Sequence, residues 1–205
     1  MASADAPMKG IATLLEAFAK MRTERELELV LVTRPTPGGI TEGLIDRLGI
    51  RDSVRFAHDL SDADLVALMG SAEVACVPSL YEGFSLPTAE LMACATPLVV
   101  SRAGAIPEVV GEDGVCADLV TPGDVGELQH ALEALLDDPE RRAAMGAAGR
   151  RRAEECFSWR AVAETVADTY RRAAEEFHAD RPADPGADLS RDTTRPTRPT
   201  RPQED

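Results

Sequence analysis

At 205 residues, 44% of them hydrophobic, the chain carries enough apolar material for one large domain or two small ones, which excludes a multi-module assembly. Its 22 basic and 36 acidic residues leave a formal net charge of −14, which disfavours nucleic acid or an anionic membrane as the main partner. No apolar run reaches the ~18 residues that span a bilayer. The opening residues MASADAPMKG show no basic stretch followed by an apolar one. The expectation is a cytoplasmic protein without a transmembrane segment.

The elements follow in chain order. Ile11, Leu14, Leu15, Phe18 and Met21 share one helical face and predict a helix over about 10–21. LELVLVT at 27–33 reads as a buried strand and Pro35–Gly39 as a loop, with a short helix from Thr41 closed by Gly49. A second strand is expected at Ser53–Phe56. Ser61 opens a helix to Met69, with Asp64 as its capping-box acid. Val74–Val77 and Pro97–Val100 are two further short apolar strands, and three helices close the pattern at about 123–137, 139–155 and 159–177. From residue 179 prolines accumulate and Thr-Arg-Pro repeats three times at 194–202. Residues 179–205 are therefore expected to be a disordered, solvated tail and 1–178 the folded domain.

Strands alternating with helices at this spacing imply an α/β fold with a mainly parallel sheet covered on both faces. Ligands of such sheets bind outside the carboxyl ends of the strands, here the loops after Thr33, Phe56, Val77 and Val100. Cys76, Cys94, Cys116 and Cys156 stand far apart, without a C-x-x-C pair or histidine at ligand spacing. They read as small core residues in a reducing compartment, and no metal site is expected. His58, His130 and His178 are equally scattered. Every basic residue is arginine except Lys9 and Lys20, which singles out Lys9.

The chemistry concentrates after the third strand, in Pro78-Ser79-Leu80-Tyr81-Glu82-Gly83-Phe84-Ser85-Leu86-Pro87-Thr88-Ala89-Glu90. Pro87 suits the first turn of a helix capped by Ser85 or Leu86. The amides of Phe84, Ser85 and Leu86 then lie at the positive end of the helix dipole, an arrangement that suits phosphate. Glu82 and Glu90 can accept hydrogen bonds from ligand hydroxyls. Taken alone, these two acids fit a dipole complement and a solvated helix residue equally well.

The run SLYEGFSLPTAELMACATPLVVSRAGAIPEVVG resembles the nucleotide-binding half of retaining glycosyltransferases of the GT-B fold, the GT4-type group. That group has two glutamates separated by seven residues, then a small-residue helix, a strand and a loop containing Gly-Pro-Glu. The resemblance extends over about 8–178, through Lys9-Gly10, LELVLVT, LLDDPERRAAMGAAGR and Phe157-Ser158-Trp159. It implies a Rossmann-like domain that binds a nucleoside-diphosphate sugar as substrate, without a metal or other cofactor, and transfers the sugar with retention of configuration. Carried over by position, Glu90 holds the ribose and Glu82 contacts donor-sugar hydroxyls. The loop of Gly83, Phe84, Ser85 and Leu86 cradles the diphosphate or sugar, and Lys9 neutralises the diphosphate. Gly104-Ala105-Ile106-Pro107-Glu108 is expected to close over the donor.

The sequence departs from the group in several places. Ala4 stands where an arginine pairs with the lysine, and Ser85 and Ala95 stand where glycines are usual. The strand that precedes the Lys-Gly motif in the family and the N-terminal acceptor-binding domain are not in this sequence. The resemblance therefore implies two neighbouring strands with unpaired edges and a partner acceptor domain elsewhere. A late start, a gene fragment and half of a split enzyme all fit. Arg34 reads as a surface residue, although it could supply the charge absent at Ala4.

Other functions compete with a transferase donor domain. A non-catalytic nucleotide- or partner-binding module predicts affinity without turnover. A serine hydrolase would use Gly83-Phe84-Ser85-Leu86-Pro87 with His130 or His178, but its elbow must follow the strand directly, and Pro78–Glu82 intervene. Gly38, Gly39 and Gly43 do not form the dinucleotide fingerprint. A glycoside hydrolase would place its two acids on separate elements flanking a cleft.

Overall fold

The computed structural model describes residues 5–179. The expected tail, apart from Ala179, lies outside the described residues. Two compact units divide the chain, Met1–Val162 and Ala163–Asp205.

The first unit opens with a 3-10 turn, Pro7–Lys9, and helix α1 (Ile11–Met21), which buries Leu14, Leu15, Ala17, Phe18 and Met21. Each large side chain among these contributes about 1.5–3 kcal/mol relative to exposure. Then follow β1 (Leu29–Leu31), α2 (Ile40–Leu48), β2 (Val54–Phe56), α3 (Asp62–Ser71) and β3 (Ala75–Val77). Gly49 ends α2 in the left-handed conformation, and the Ser61 hydroxyl accepts from the Asp64 N–H to start α3. After these come α4 (Leu86–Ala93), β4 (Leu98–Ser101), α5 (Ile106–Val110), β5 (Asp118–Val120), α6 (Val125–Asp137), α7 (Pro139–Phe157) and α8 (Trp159–Ala179). Within the described residues, the second unit is the continuation of α8. Along this helix Trp159, Val162, Val166, Tyr170 and Phe177 are all exposed.

All strand pairs are parallel, but they form two sheets, β1-β2 and β3-β4-β5. Among the described residues β1 pairs only with β2 and β3 only with β4, so each keeps one unpaired edge. One apolar cluster nevertheless joins them. Leu31 and the half-buried Leu29 pack with Val99, Val120 and the half-buried Cys76, beneath α1, α2 and α6. A second cluster covers the opposite face of β3-β4-β5, where Val77, Leu98, Val100 and Leu119 meet residues of α4, α5 and α7. The expected layering on both faces is therefore present around the three-stranded sheet.

Two elements escaped the sequence reading. Strand β5 was not expected, and Ile106-Pro107-Glu108, expected as loop, begins helix α5 with Pro107 in its first turn. The cysteines also depart in part from a common core role, for Cys116 is buried but Cys156 is exposed. Burial pushes the Cys76 thiol up to about 12, so it is an inert apolar residue.

Candidate functional site

The candidate residues, Glu90 apart, gather at the carboxyl ends of β3 and β4, on three short segments. Residues 5–10 cross that end of the molecule and are tied at three points. Asp5 accepts the Thr41 N–H at 2.9 Å, in the first turn of α2. The Met8 carbonyl accepts the Leu80 N–H at 2.8 Å. Lys9 Nζ donates to Glu82 Oε1 at 2.7 Å. The Thr41 bond holds the Asp5 carboxyl below the usual aspartate range.

The loop from Pro78 to Glu82 is gripped between two glycines. Gly10 has φ +66°, and a Cβ there would stand 1.8 Å from the Pro78 carbonyl oxygen. Gly104 has φ +54°, and its Cβ would stand 2.0 Å from the Glu82 carbonyl oxygen, which also accepts the Ala105 N–H at 3.0 Å. Only glycine meets both demands at these positions. The glycine of Lys-Gly is thus a packing requirement that delivers Lys9 to Glu82, and Gly104 sets the height of Glu82 from the other side.

Helix α4 begins just beyond. Ser85 is its cap residue, at φ +76°, and is buried. Ser85 is thus one of the two caps expected, but its hydroxyl makes no capping bond to the helix. It pairs with the buried Thr88 hydroxyl at 2.7 Å. No acceptor lies within hydrogen-bonding distance of the Phe84, Ser85 or Leu86 N–H among the described residues, as expected for orphan amides at a helix start. The Phe84 ring stands edge-on to that of Phe157, with centroids 5.5 Å apart at 85°, so the end of α7 braces this loop. Tyr81, Phe84 and Leu86 present exposed apolar surface around the amides.

The structure therefore brings Lys9, Glu82, Gly83, Phe84, Ser85, Leu86 and Gly104 into one neighbourhood. Glu90 is separate. It lies one turn into α4, exposed, and its carboxylate has no hydrogen bond or ion pair among the described residues. Ser79 is the residue the sequence reading missed. Only 2% exposed, it donates its hydroxyl to Glu82 Oε1 at 2.8 Å. A lone serine after a strand carries no pattern, although a polar residue at a buried strand end was the available signal. Arg34 is exposed and paired with Asp59, so its charge is already engaged. Ser85 has no histidine partner for nucleophilic chemistry, and His130 is exposed on α6. Among the described residues no group of three His, Cys, Asp or Glu side chains could hold a metal ion. No described helix is long and apolar enough to cross a membrane.

A lysine, a carboxylate and amides without acceptors thus stand together at the carboxyl ends of parallel strands in an α/β protein. The sequence profile of the family Glycosyl transferases group 1 matches residues 1–152, and the chain belongs to that family. The MMP alpha-(1->4)-mannosyltransferase of Mycolicibacterium hassiacum is 57% identical over 173 residues, covering 84% of this chain and 42% of that protein. Sucrose-phosphate synthase from Thermosynechococcus elongatus superposes with a TM-score of 0.72 at 31% identity, covering 83% of this chain and 43% of that one. HepE from Anabaena, in complex with UDP, gives 0.73 at 27% identity, covering 83% and 47%. The chain thus spans less than half the length of each of these relatives.

Proposed function

We propose that this chain is the donor-binding domain of a retaining glycosyltransferase, which holds a nucleoside-diphosphate sugar at the carboxyl ends of β3 and β4. The observation that carries the reading is the contact of Lys9 with Glu82 beside the free amides of Phe84, Ser85 and Leu86. Cleavage of the sugar–phosphate bond leaves the bonding electron pair on the departing nucleoside diphosphate. The Lys9 ammonium and the α4 amides stabilise that growing charge more than they stabilise the intact donor. Glu82 takes a sugar hydroxyl, and Glu90 takes the ribose from one turn along the helix.

The mannosyltransferase relative supports a mannosyl donor, and the UDP-bound neighbour supports uridine as the first base to test. The acceptor, and the partner domain that holds it, belong to a part of the enzyme outside this chain. In this reading the released diphosphate assists deprotonation of the acceptor hydroxyl, so the domain contributes charge and orientation rather than a general base.

A thermal melt with UDP, GDP and ADP tests the assignment. At about 100 times its dissociation constant a bound nucleotide adds about 2.7 kcal/mol of stability. One nucleotide is expected to raise the melting temperature of the wild type and to leave Glu90→Ala largely unmoved. A melt that no nucleotide shifts contradicts the proposal.

A further inference from the structure

We propose that Glu82, held by Ser79, makes this site discriminate against the free nucleoside diphosphate in favour of the intact nucleotide sugar; the inference rests on the donor-site reading above. Both donors on Glu82 fall on the same oxygen. Lys9 Nζ lies 2.7 Å from Oε1, and Ser79 Oγ lies 2.8 Å from it. Oε2 has no partner among the described residues and is the atom left for a ligand hydroxyl. Lys9 spends one of its three N–H groups on Glu82 and keeps two for an arriving anion.

This geometry gives the carboxylate two opposing effects. Its negative charge stands against the Lys9 ammonium and cancels much of its attraction for phosphate. The Glu82 side chain is 13% exposed and that of Lys9 35%, so water screens the pair only in part. An intact donor recovers the loss by donating a sugar hydroxyl to Oε2. The free diphosphate has no sugar to offer. It also carries more negative charge, because its terminal phosphate has a second ionisation near pH 6. Glu82 therefore weakens the hold on the spent nucleotide more than on the donor, which favours release after transfer.

Ser79 is a positioning residue in this scheme. Buried at the end of β3, its hydroxyl shares Oε1 with Lys9 and so leaves Oε2 for a ligand. Without it the carboxylate keeps its charge but loses its aim.

Calorimetric titration of the whole chain with UDP and UDP-glucose, and with GDP and GDP-mannose, tests the proposal. In Glu82→Gln the free diphosphate is expected to bind about fivefold tighter, while the nucleotide sugar binds no tighter. The ratio of the two affinities shifts toward diphosphate. Ser79→Ala shifts the same ratio in the same direction by about twofold, and carries the test if Glu82→Gln does not fold. Wild-type binding of nucleotide with a ratio unchanged in both variants overturns the inference and leaves the donor site standing. Absence of nucleotide binding by the folded wild type overturns both.

Discussion

Strands β1 and β4 carry nearly the same side chains, Leu-Val-Leu and Leu-Val-Val-Ser, yet they are buried to different depths. Leu98, Val99 and Val100 of β4 have no exposed surface, whereas Leu29 and Val30 of β1 are only half-buried. β4 is paired on both edges and covered on both faces. β1 is paired on one edge, and the second apolar cluster does not reach it. Burial of a parallel strand thus comes from its neighbours rather than from its own composition. The three-stranded half, so enclosed, is the half that carries the loops of the site.

The largest test of this contrast uses glycine. Gly104→Ala in the three-stranded half drives a methyl group into the Glu82 carbonyl and is expected to cost upward of ~4 kcal/mol. Gly43→Ala in α2 meets nothing within 4 Å, on a helix interior, and is expected to stabilise by about 0.5–1 kcal/mol. Urea denaturation of the two variants reads both. The next contrast is between leucines. Leu98→Ala is expected to cost about 3 kcal/mol and Leu29→Ala about half of that, since Leu29 gives up less buried surface. Equal losses would mean that the free edge of β1 is covered in solution.

A smaller effect concerns strain. Ser85 and Ala95 adopt φ +76° and +57°, at the two positions where the sequence reading noted serine and alanine in place of glycine. Ala95→Gly is expected to stabilise by about 1 kcal/mol, checked by the same denaturation. Ser85→Gly gains little, because it also takes away the partner of the buried Thr88 hydroxyl. Ala95 also packs closely under α7, where a Cβ on Gly146 would stand 2.2 Å from its carbonyl oxygen. Relief at Ala95 therefore leaves the contact of α4 with α7 intact.

The two halves also differ in their response to acid. Around the two-stranded half Asp5, Asp46 and Asp59 are held below the ordinary range by hydrogen bonds, from Thr41, Arg51 and His58 respectively. A lowered folded value adds stability above the unfolded value, and that stability is lost as pH falls through the folded one. Asp137 at the end of α6 is held low in the same way by Arg25, whereas Asp118 in β5 behaves oppositely. Desolvation raises its folded value despite its Arg141 partner, so its contribution is fully present at low pH and is lost as pH rises through the folded value. Acidification from about pH 5 to about pH 3 is expected to speed amide exchange in α2, β1 and β2 before β4 and β5.

Much of this layout was legible in the residues. The spacing of Leu14, Leu15, Phe18 and Met21 located α1, and Ser61 with Asp64 located the start of α3, because helix faces and caps are local rules. Lys9 and Glu82 were singled out separately, by lysine scarcity and by the family resemblance, and they meet. Strand β5 was not legible. Asp118-Leu119-Val120 is too short to show alternation, and its strand character comes from pairing with Val99–Ser101. α5 hid behind Pro107, which reads as a loop signal until its place in a first turn is known. Ser79 was missed because its role depends on a contact with Glu82 that has no sequence period.

The most direct test of the site is a nuclear magnetic resonance titration of the labelled chain with UDP or GDP. Amide shifts are expected to cluster at Lys9, Gly10, Phe84, Ser85, Leu86 and Gly104. Shifts confined to the loops after β1 and β2, or an unperturbed spectrum at millimolar nucleotide, would contradict a donor site at the carboxyl ends of β3 and β4.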